Sequence, residues 1–186
     1  MKYDKSFLRN KSLLKRKRKY STVKKFNFNL IFNFIKKEYG KKKITIAAYY
    51  PANYEVNTLR FIEEASKKKF NIALPVIKLR GKMSFKLWVY KNPLYVNSMG
   101  ILEPDKSSKT VIPDLIMVPL VAFDKNLNRI GYGKGYYDRS LKQISKIKKK
   151  TIFMGLAYSF QKCKDIPINK YDFKLDCIFT ELGIIN

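Results

Sequence analysis

Two kinds of hydrophobic pattern follow each other along the chain: apolar runs of strand length, and apolar positions at helical spacing. The runs are rich in branched side chains and indicate β-strands, whereas the helical spacing indicates amphipathic helices. Because the two alternate and the runs suit strands buried on both faces, the pattern predicts an α/β fold with a mostly parallel sheet. Strands are predicted over residues 43–50, 71–76, 83–90, 114–124, 151–157 and from Cys177, and helices from Lys5, before Gly40, from Asn57 or Thr58, and from Tyr136 to Lys150.

The apolar run at 114–124 leads through a polar turn into the stretch Arg129-Ile-Gly-Tyr-Gly-Lys-Gly-Tyr-Tyr-Asp138-Arg139. Its three alternate glycines allow backbone N–H groups to point at one spot, and the helix predicted from Tyr136 adds unpaired donors and a partial positive charge. Arg129 and Lys134 add full charges, and Asp138 stands in the first helical turn, where a carboxylate could hold a metal ion. The stretch therefore predicts a phosphate-binding loop.

The glycine spacing matches neither of the two common nucleotide-binding loops. The phosphate loop of NTPases has four residues between its glycines, and the third glycine of the dinucleotide fingerprint falls one residue later. The glycine spacing is equally compatible with a tight turn that only connects the strand to the helix and binds no ligand. The phosphate-binding interpretation is favoured by the charges of both signs around the glycines, at Arg129, Lys134, Asp138 and Arg139.

Composition narrows the possible chemistry. The chain has 186 residues, which suits one domain (1–186) on which a basic helical segment (1–40) packs, and it contains no histidine. A Ser-His-Asp triad, a Cys-His pair and histidine zinc sites are therefore excluded. Cys163 and Cys177 are too few for a disulfide framework, so we expect reduced thiols in a cytoplasmic protein. No apolar run reaches the ~20 residues of a membrane span, and the basic N-terminus lacks the apolar segment of a signal peptide.

The net charge of +26 favours anionic partners such as a nucleotide, a polyglutamylated cofactor or nucleic acid. The alternative is compositional drift toward lysine as the default surface residue, and charge alone does not decide between them. Lys5 and Arg9 stand one turn apart on the first helix, where two cations repel unless an anion lies between them. On pattern alone, a solvated basic helix or an RNA-binding arm is the better account of that helix.

The segment Val118-Pro-Leu-Val-Ala-Phe-Asp124, taken with the glycine stretch, resembles the signature of the 5-formyltetrahydrofolate cyclo-ligase family, also called methenyltetrahydrofolate synthetases. The resemblance extends over nearly the whole chain and includes Gly100-Ile-Leu-Glu-Pro104. It implies a three-layer α/β domain related to sugar-phosphate isomerases and CoA transferases, with ATP and Mg²⁺ as co-substrates and a reduced folate as substrate. A cytoplasmic enzyme of one-carbon metabolism is expected, without membrane or nucleic-acid partners.

The resemblance also implies which residues meet each ligand. Mg²⁺ would be held by Asp138, with Asp176 as a second contact. Glu55, which on pattern alone is a helix-start charge, would meet the folate. The full folate set is Tyr50, Glu55, Tyr132 and Tyr136, with Tyr54 as an alternative to Tyr50 on the ring face. The ATP set is Lys5, Arg9, Arg129, Ile130, Gly131, Tyr132, Gly133, Lys134, Gly135, Tyr136 and Tyr137, of which Lys134 and Arg129 would be catalytic.

The implied reaction begins with transfer of the γ-phosphoryl group of ATP to the formyl oxygen of 5-formyltetrahydrofolate. A neighbouring nitrogen then attacks, the ring closes to 5,10-methenyltetrahydrofolate, and ADP and phosphate are released. Phosphoryl transfer needs positioning and charge neutralisation more than a nucleophile, which suits a chain without histidine. Two other classes stay open: a basic nucleic-acid-binding protein, and an isomerase or acyl-CoA transferase on the same fold, which would need Glu55 or Glu103 as its nucleophile.

Several positions depart from the family or allow two interpretations. Tyr171 stands where the family usually has a histidine, which argues against a required proton transfer there. In the turn before Arg129 the family tends to carry glycine, and here Asn126 or Asn128 is expected to adopt the left-handed conformation. Trp88 is expected in the core or on a sheet face, with folate stacking as the alternative. Glu103 suits either the substrate cleft or a structural turn.

Overall fold

Eight strands form one sheet across the molecule. The computed structural model describes residues 4–23, 26–78 and 81–186. The α-helices of this part of the chain are α1 (Lys5–Lys19), α2 (Asn29–Tyr39), α3 (Leu59–Lys67) and α4 (Tyr136–Ile147). None of the helices described combines the length and hydrophobicity that crossing a membrane requires.

The large sheet has the order β12-β11-β10-β7-β1-β2-β3-β6. Its strands are β1 (Thr45–Ala47), β2 (Asn71–Ile77), β3 (Met83–Leu87), β6 (Thr110–Val111), β7 (Leu115–Pro119), β10 (Ile152–Leu156), β11 (Cys177–Thr180) and β12 (Gly183–Ile185). The strands from β11 to β2 pair in parallel, and the antiparallel strands lie toward the edges. Two antiparallel pairs stand apart from it: β4 (Tyr95–Val96) with β5 (Leu102–Glu103), and β8 (Ala122–Phe123) with β9 (Arg129–Ile130). The predicted α/β fold with a mostly parallel sheet is confirmed.

Alternate side chains of the central strands build two cores, one on each face of the sheet. On β7, Leu115 and Met117 join the core beneath α2 and α3, whereas Ile116 and Val118 join the core beneath α4. All four are fully buried. Burial on both faces explains why β7 reads as a continuous apolar run, and it gives the three layers that the resemblance implied.

The apolar run at 114–124 is two strands rather than one. β7 ends at Pro119, and after Leu120 and Val121 the chain enters β8, which pairs with β9 in a separate hairpin. The prediction of a single strand was therefore wrong in its second half. Leu120 and Val121 are as deeply buried as the strands on either side. The hydrophobic pattern therefore gives no sign that β7 ends at Pro119.

The turn between β8 and β9 also differs from expectation. Leu127, not Asn126 or Asn128, has the positive φ, at 66°. The Asp124 carboxylate accepts hydrogen bonds from both asparagine N–H groups, which fixes the turn on either side of Leu127. The Leu127 side chain is buried beside the α4 core, and this burial offsets the cost of a left-handed leucine.

Helix α1 packs against the β8–β9 hairpin and a helical turn at 159–161. It begins where predicted because the Asp4 carboxylate caps it, accepting a hydrogen bond from Phe7 N at 2.7 Å. Leu8 and Leu13 pack on a small apolar cluster of the hairpin region. This contact sets α1 beside the glycine stretch that follows β9.

Gly155 of β10 is closely packed by two leucines from outside its strand. An ideal Cβ at this position would lie 2.7 Å from Leu175 Cδ1 and 2.8 Å from Leu120 Cδ2, and both leucines are buried. We expect Gly155→Ala to lower the free energy of unfolding by about 1–3 kcal/mol, because added volume strains a close-packed core. Urea denaturation measures this loss. Lys142→Ala, on the exposed side of α4, is the control, and equal losses in the two variants would contradict the packing argument.

Candidate functional site

The glycine loop, residues 131–135, connects β9 to α4 and lies against α1. Arg9 Nε donates to Gly131 O at 2.8 Å. Gly133 has a φ of +93°, and an ideal Cβ there would lie 3.3 Å from Arg9 Cζ. Gly135, with a φ of +66°, precedes the first residue of α4. A side chain at either glycine would be strained, and one at Gly133 would press on the arginine. The glycines therefore permit the close approach of a helix cation to the loop backbone.

Both cations predicted on α1 reach this end of the molecule. Lys5 forms an ion pair with Asp172, whose carboxylate also accepts a hydrogen bond from Asn169 N at 2.7 Å. Arg9 uses Nε for the loop backbone, as described. The Lys134 side chain is exposed, and within residues 4–23, 26–78 and 81–186 it takes part in no ion pair. The structure thus brings Lys5, Arg9 and Lys134 to the same region, with Lys134 available to an anion.

Arg129 and Asp138 form a buried ion pair beside the glycine loop. Arg129 Nη2 lies 2.6 Å from Asp138 Oδ1, and the arginine side chain is 3% exposed. Phe173 N also donates to Asp138 Oδ1, at 3.2 Å. Burial lowers the pKa of Arg129, and the charge of Asp138 partly offsets that effect. The pair ties the strand that enters the loop to the helix that leaves it.

Glu55 follows the carboxyl end of β1 and lies next to the glycine loop. Its carboxylate accepts a hydrogen bond from Ala52 N at 2.9 Å, and its backbone carbonyl accepts one from the Tyr158 hydroxyl at 3.2 Å. Burial raises the pKa of Glu55, an effect reduced by the Ala52 N–H, the Tyr132 hydroxyl and the charge of Arg16. Because Tyr132 belongs to the glycine loop, the structure brings together two segments that the sequence keeps far apart.

Several aromatic side chains surround this junction. Tyr50 is partly buried in the same loop as Glu55. Tyr54 has a φ of 63°, and its ring centroid lies 4.7 Å from that of Tyr20. The Tyr136 hydroxyl lies 3.7 Å from Met99 Sδ. Burial, reinforced by the nearby Glu55 charge, raises the pKa of Tyr132 and of Tyr137, so both phenols are neutral hydrogen-bonding groups. The Tyr137 hydroxyl is buried and has no hydrogen-bond partner in the described residues.

Sequence reasoning missed Arg16. It is 1% exposed, it donates through Nη1 to Leu120 O at 3.1 Å, and Nη2 donates to the Tyr132 hydroxyl. A signal was present in the sequence, because Lys5, Arg9 and Arg16 stand at positions i, i+4 and i+11 of α1 and so share one helix face. The abundance of lysine and arginine around it hid that spacing.

The two carboxylates expected to hold Mg²⁺ have different hydrogen-bond partners. Asp176 precedes β11 and accepts a hydrogen bond from Phe153 N at 2.8 Å, near the beginning of β10. Glu55 and Tyr158, in contrast, follow the carboxyl ends of β1 and β10. The recorded contacts of the described residues include none between Asp176 and Asp138. The described residues contain no group of three or more His, Cys, Asp or Glu side chains that could hold a metal ion.

Asp138 by itself suits Mg²⁺ that is bound mainly through a ligand's phosphates. Its Oδ1 accepts both recorded hydrogen bonds, which leaves Oδ2 for a cation. Mg²⁺ sites in phosphoryl-transfer enzymes commonly use one or two carboxylates, with substrate phosphates and waters supplying the remaining oxygens. The residues present fit that arrangement and do not fit an all-protein cage.

Trp88 and Glu103 have structural surroundings. Trp88 is buried in the core beneath α2 and α3, and its Nε1 donates to Asn92 O at 3.1 Å. The buried Glu103 carboxylate accepts hydrogen bonds from Ile77 N at 2.8 Å and from Asn97 Nδ2 at 2.6 Å. Glu103 therefore fastens β5 to the end of β2, in agreement with the structural alternative.

The chemistry open to this site is electrostatic. Burial raises the pKa of Cys163 to about 11 and that of Cys177 to about 12, so neither thiol ionises to a thiolate near neutral pH. The chain has no histidine to activate a hydroxyl. The site presents backbone N–H groups, several cations and the carboxylates of Asp138 and Glu55 beside the glycine loop. The cations and N–H groups can orient and neutralise a multiply charged anion.

Comparisons of the sequence and of the structure with known proteins point to the same family. The profile of the 5-formyltetrahydrofolate cyclo-ligase family matches residues 1–181. A 5-formyltetrahydrofolate cyclo-ligase of Mycoplasma pneumoniae is 32% identical over 186 residues, which cover 96% of this chain and 99% of that protein. One of Haemophilus influenzae is 35% identical over 136 residues, covering 70% and 72%. The NMR structure of Aquifex aeolicus 5,10-methenyltetrahydrofolate synthetase superposes with a TM-score of 0.74 at 33% identity, covering 97% of this chain and 91% of that one.

The buried Arg129–Asp138 pair gives a prediction on stability. Arg129→Met leaves the partly exposed Asp138 without its counter-ion, and we expect the free energy of unfolding to fall by about 1.5–3 kcal/mol. Urea denaturation of the ligand-free protein measures the loss. Arg60→Met is the matched control, because Arg60 is exposed and lies 3.9 Å from its partner Glu64. A loss no larger than that of the control would show that the pair adds nothing to stability.

Proposed function

The chain belongs to the 5-formyltetrahydrofolate cyclo-ligase family, and on that premise we propose that it converts 5-formyltetrahydrofolate to 5,10-methenyltetrahydrofolate with ATP and Mg²⁺. The γ-phosphoryl group of ATP is transferred to the formyl oxygen, which turns a poor leaving group into a good one. The neighbouring folate nitrogen then attacks the formyl carbon, the ring closes, and phosphate departs. The observation that carries this proposal is the contact between the glycine loop, the cations of α1 and the Glu55 loop.

The nucleotide phosphates are assigned to the side of the glycine loop that faces α1. The bond from Arg9 Nε to Gly131 O leaves the terminal nitrogens of Arg9 for phosphate oxygens. Lys134 is exposed and adds a mobile charge, and Lys5 lies at the beginning of the same helix. Backbone N–H groups of residues 131–137 complete the site. Arg129 acts from beneath the loop by holding Asp138, rather than through an exposed guanidinium.

The folate is assigned to the Glu55 side of the junction. An ionised carboxylate only accepts hydrogen bonds, which matches the ring N–H donors of a pterin. Tyr50, Tyr132 and Tyr136 supply aromatic faces against which the ring can pack. Transfer requires the formyl oxygen to lie next to the γ-phosphoryl group, so the two ligands must meet beside Tyr132, and such positioning is a large part of catalysis of phosphoryl transfer.

Asp138 is the residue proposed to hold Mg²⁺, and a bound ion there would neutralise charge on the phosphates. Its fixed position comes from Arg129 and Phe173 N, which hold the other carboxylate oxygen. The contact of Asp176 with the same ion stays a prediction, and the position of Asp176 at the start of β11 gives it no support.

The direct test is an assay of the purified protein with 5-formyltetrahydrofolate, ATP and Mg²⁺, following the absorbance of the methenyl product. ADP formation is measured in parallel and should equal product formation. Omitting ATP, or chelating Mg²⁺, should abolish turnover. Product formed without nucleotide, or none with all components present, would overturn the proposal.

Lys134→Ala tests the charge on the glycine loop. We expect kcat to fall about 100- to 1,000-fold, the loss typical of removing one preorganised group that stabilises developing charge. Lys125→Ala, an exposed lysine in the turn between β8 and β9, is the control and should retain wild-type kcat. Unchanged turnover in Lys134→Ala would remove this lysine from the phosphate site.

Glu55→Gln tests the folate side. In the wild type, KM for the folate should rise as pH falls through the raised pKa of Glu55, because the protonated acid no longer accepts two hydrogen bonds. In the glutamine variant, KM for the folate at neutral pH should be about tenfold or more higher than in the wild type. It should no longer rise as pH falls, and KM for ATP should be nearly unchanged. Glu38→Gln, at an exposed position of α2, is the control. A selective rise in KM for ATP would move Glu55 to the nucleotide side.

A further inference from the structure

Arg16 carries a buried charge that no carboxylate neutralises directly. Within the described ranges 4–23, 26–78 and 81–186, the ion pairs include none of Arg16, although the residue is only 1% exposed. Its Nε has no hydrogen-bond partner in these residues. Burying a cation in this way is costly, and an apolar side chain of similar volume would pack there more cheaply. Stability alone therefore does not account for an arginine at this position.

The contacts of Arg16 join three parts of the site. Nη1 donates to Leu120 O at 3.1 Å, where β7 leads into the hairpin, and Nη2 donates to the Tyr132 hydroxyl. The guanidinium carbon also lies 5.4 Å from the centre of the Tyr132 ring. Leu120 O accepts a second hydrogen bond from Gln161 Nε2 at 2.9 Å, which fixes the acceptor. Arg16 thus holds the tyrosine of the glycine loop by its ring and by its hydroxyl.

Arg16 also supplies positive potential to the Glu55 carboxylate without touching it. Its charge lowers the pKa of Glu55, against the larger effect of burial, which raises it. The other side chains around Glu55 are neutral phenols from four segments of the chain. The groups that face Glu55 are Arg16, Tyr49, Tyr132, Tyr137 and Tyr158. Arg16 is therefore the one cation among the described groups that act on this carboxylate.

We propose that Arg16 is a positioning residue of the folate half of the site: it orients Tyr132 beside Glu55 and places a buried positive charge near the carboxylate that binds the substrate. This role rests on the proposed function, because it presumes that Glu55 binds the folate. It is distinct from phosphate binding, since both terminal nitrogens of Arg16 are used within the protein. One face of α1 would then contribute to both ligands: Lys5 and Arg9 would bind the nucleotide, and Arg16 would position the groups that bind the folate.

The test compares two substitutions of Arg16 that separate charge from geometry. Arg16→Met keeps the volume and removes the charge, whereas Arg16→Lys keeps the charge and loses the planar fork that holds Tyr132. Lys17→Met, at the adjacent exposed position of α1, is the control. Thermal unfolding of each full-length variant identifies those that are folded at the assay temperature. KM for 5-formyltetrahydrofolate and for ATP, and kcat, are then measured across the pH range.

The expected result has two parts. KM for the folate should rise about tenfold or more in Arg16→Met, with a much smaller change in KM for ATP. The acid limb of kcat/KM for the folate should move to higher pH in Arg16→Met, because Glu55 loses the charge that favours its ionised form. In Arg16→Lys and in Lys17→Met the acid limb should stay where it is in the wild type.

Two outcomes would overturn the role of Arg16. One is an acid limb at the wild-type pH in Arg16→Met; the other is a rise in KM for ATP equal to the rise in KM for the folate. If Arg16→Met does not fold, Arg16→Lys decides: additive effects of Arg16→Lys and Tyr132→Phe on kcat/KM would show that Arg16 does not act through Tyr132, and coupled effects would support that it does. A wild-type protein that neither binds nor converts the folate would instead overturn the proposed function, and this role with it.

Discussion

One face of helix α1 gives the glycine loop its shape. Lys5, Arg9 and Arg16 stand at intervals that align them along the helix, and each ends on a different acceptor: a carboxylate, a loop carbonyl and a tyrosine hydroxyl. The loop itself contains two glycines at positive φ and contributes little apolar surface, so it has few means of fixing its own conformation. Hydrogen bonds from α1 to the loop fix that conformation instead. Asp4 caps the N-terminus of α1 and so fixes the residue at which the helix begins.

The large sheet and the hairpin contribute differently to the site. Strands buried on both faces place the loops after β1 and β10 at one edge, where Tyr158 bonds to the backbone of Glu55. The hairpin diverts the chain after β7 toward α1 before it enters the glycine loop. Arg129 then closes the arrangement from inside by pairing with Asp138 on α4. Two buried guanidinium groups result, and they differ in kind: Arg129 has a carboxylate as its counter-ion, whereas Arg16 has only dipoles and a ring.

The sequence was informative where one physical effect dominates. Burial on both faces made β7 and β10 evident, and the alternate glycines predicted the loop that connects β9 to α4. Prediction from the sequence failed where tertiary contacts override the backbone preference of a residue type. Leu127 takes the left-handed conformation because its burial and the Asp124 carboxylate outweigh the preference of asparagine. Short strands such as β5 and β12 carry too few residues for a pattern, and the many lysines and arginines of α1 hid the spacing that aligns Arg16 with Lys5 and Arg9.

The net charge of +26 and the phosphate-binding interpretation are compatible, because they act over different distances. In physiological salt, exposed charges are screened beyond roughly 8 Å, so lysines on distant surfaces add little to the binding of one nucleotide. They do raise the local concentration of anions and the rate at which these arrive, whatever the reason for their abundance. In the proposed phosphate site, affinity and geometry would depend instead on the few cations within reach of the loop, namely Lys5, Arg9 and Lys134. Lysine can therefore become common on the surface without changing the chemistry of the site, which depends on a small number of charges in fixed positions.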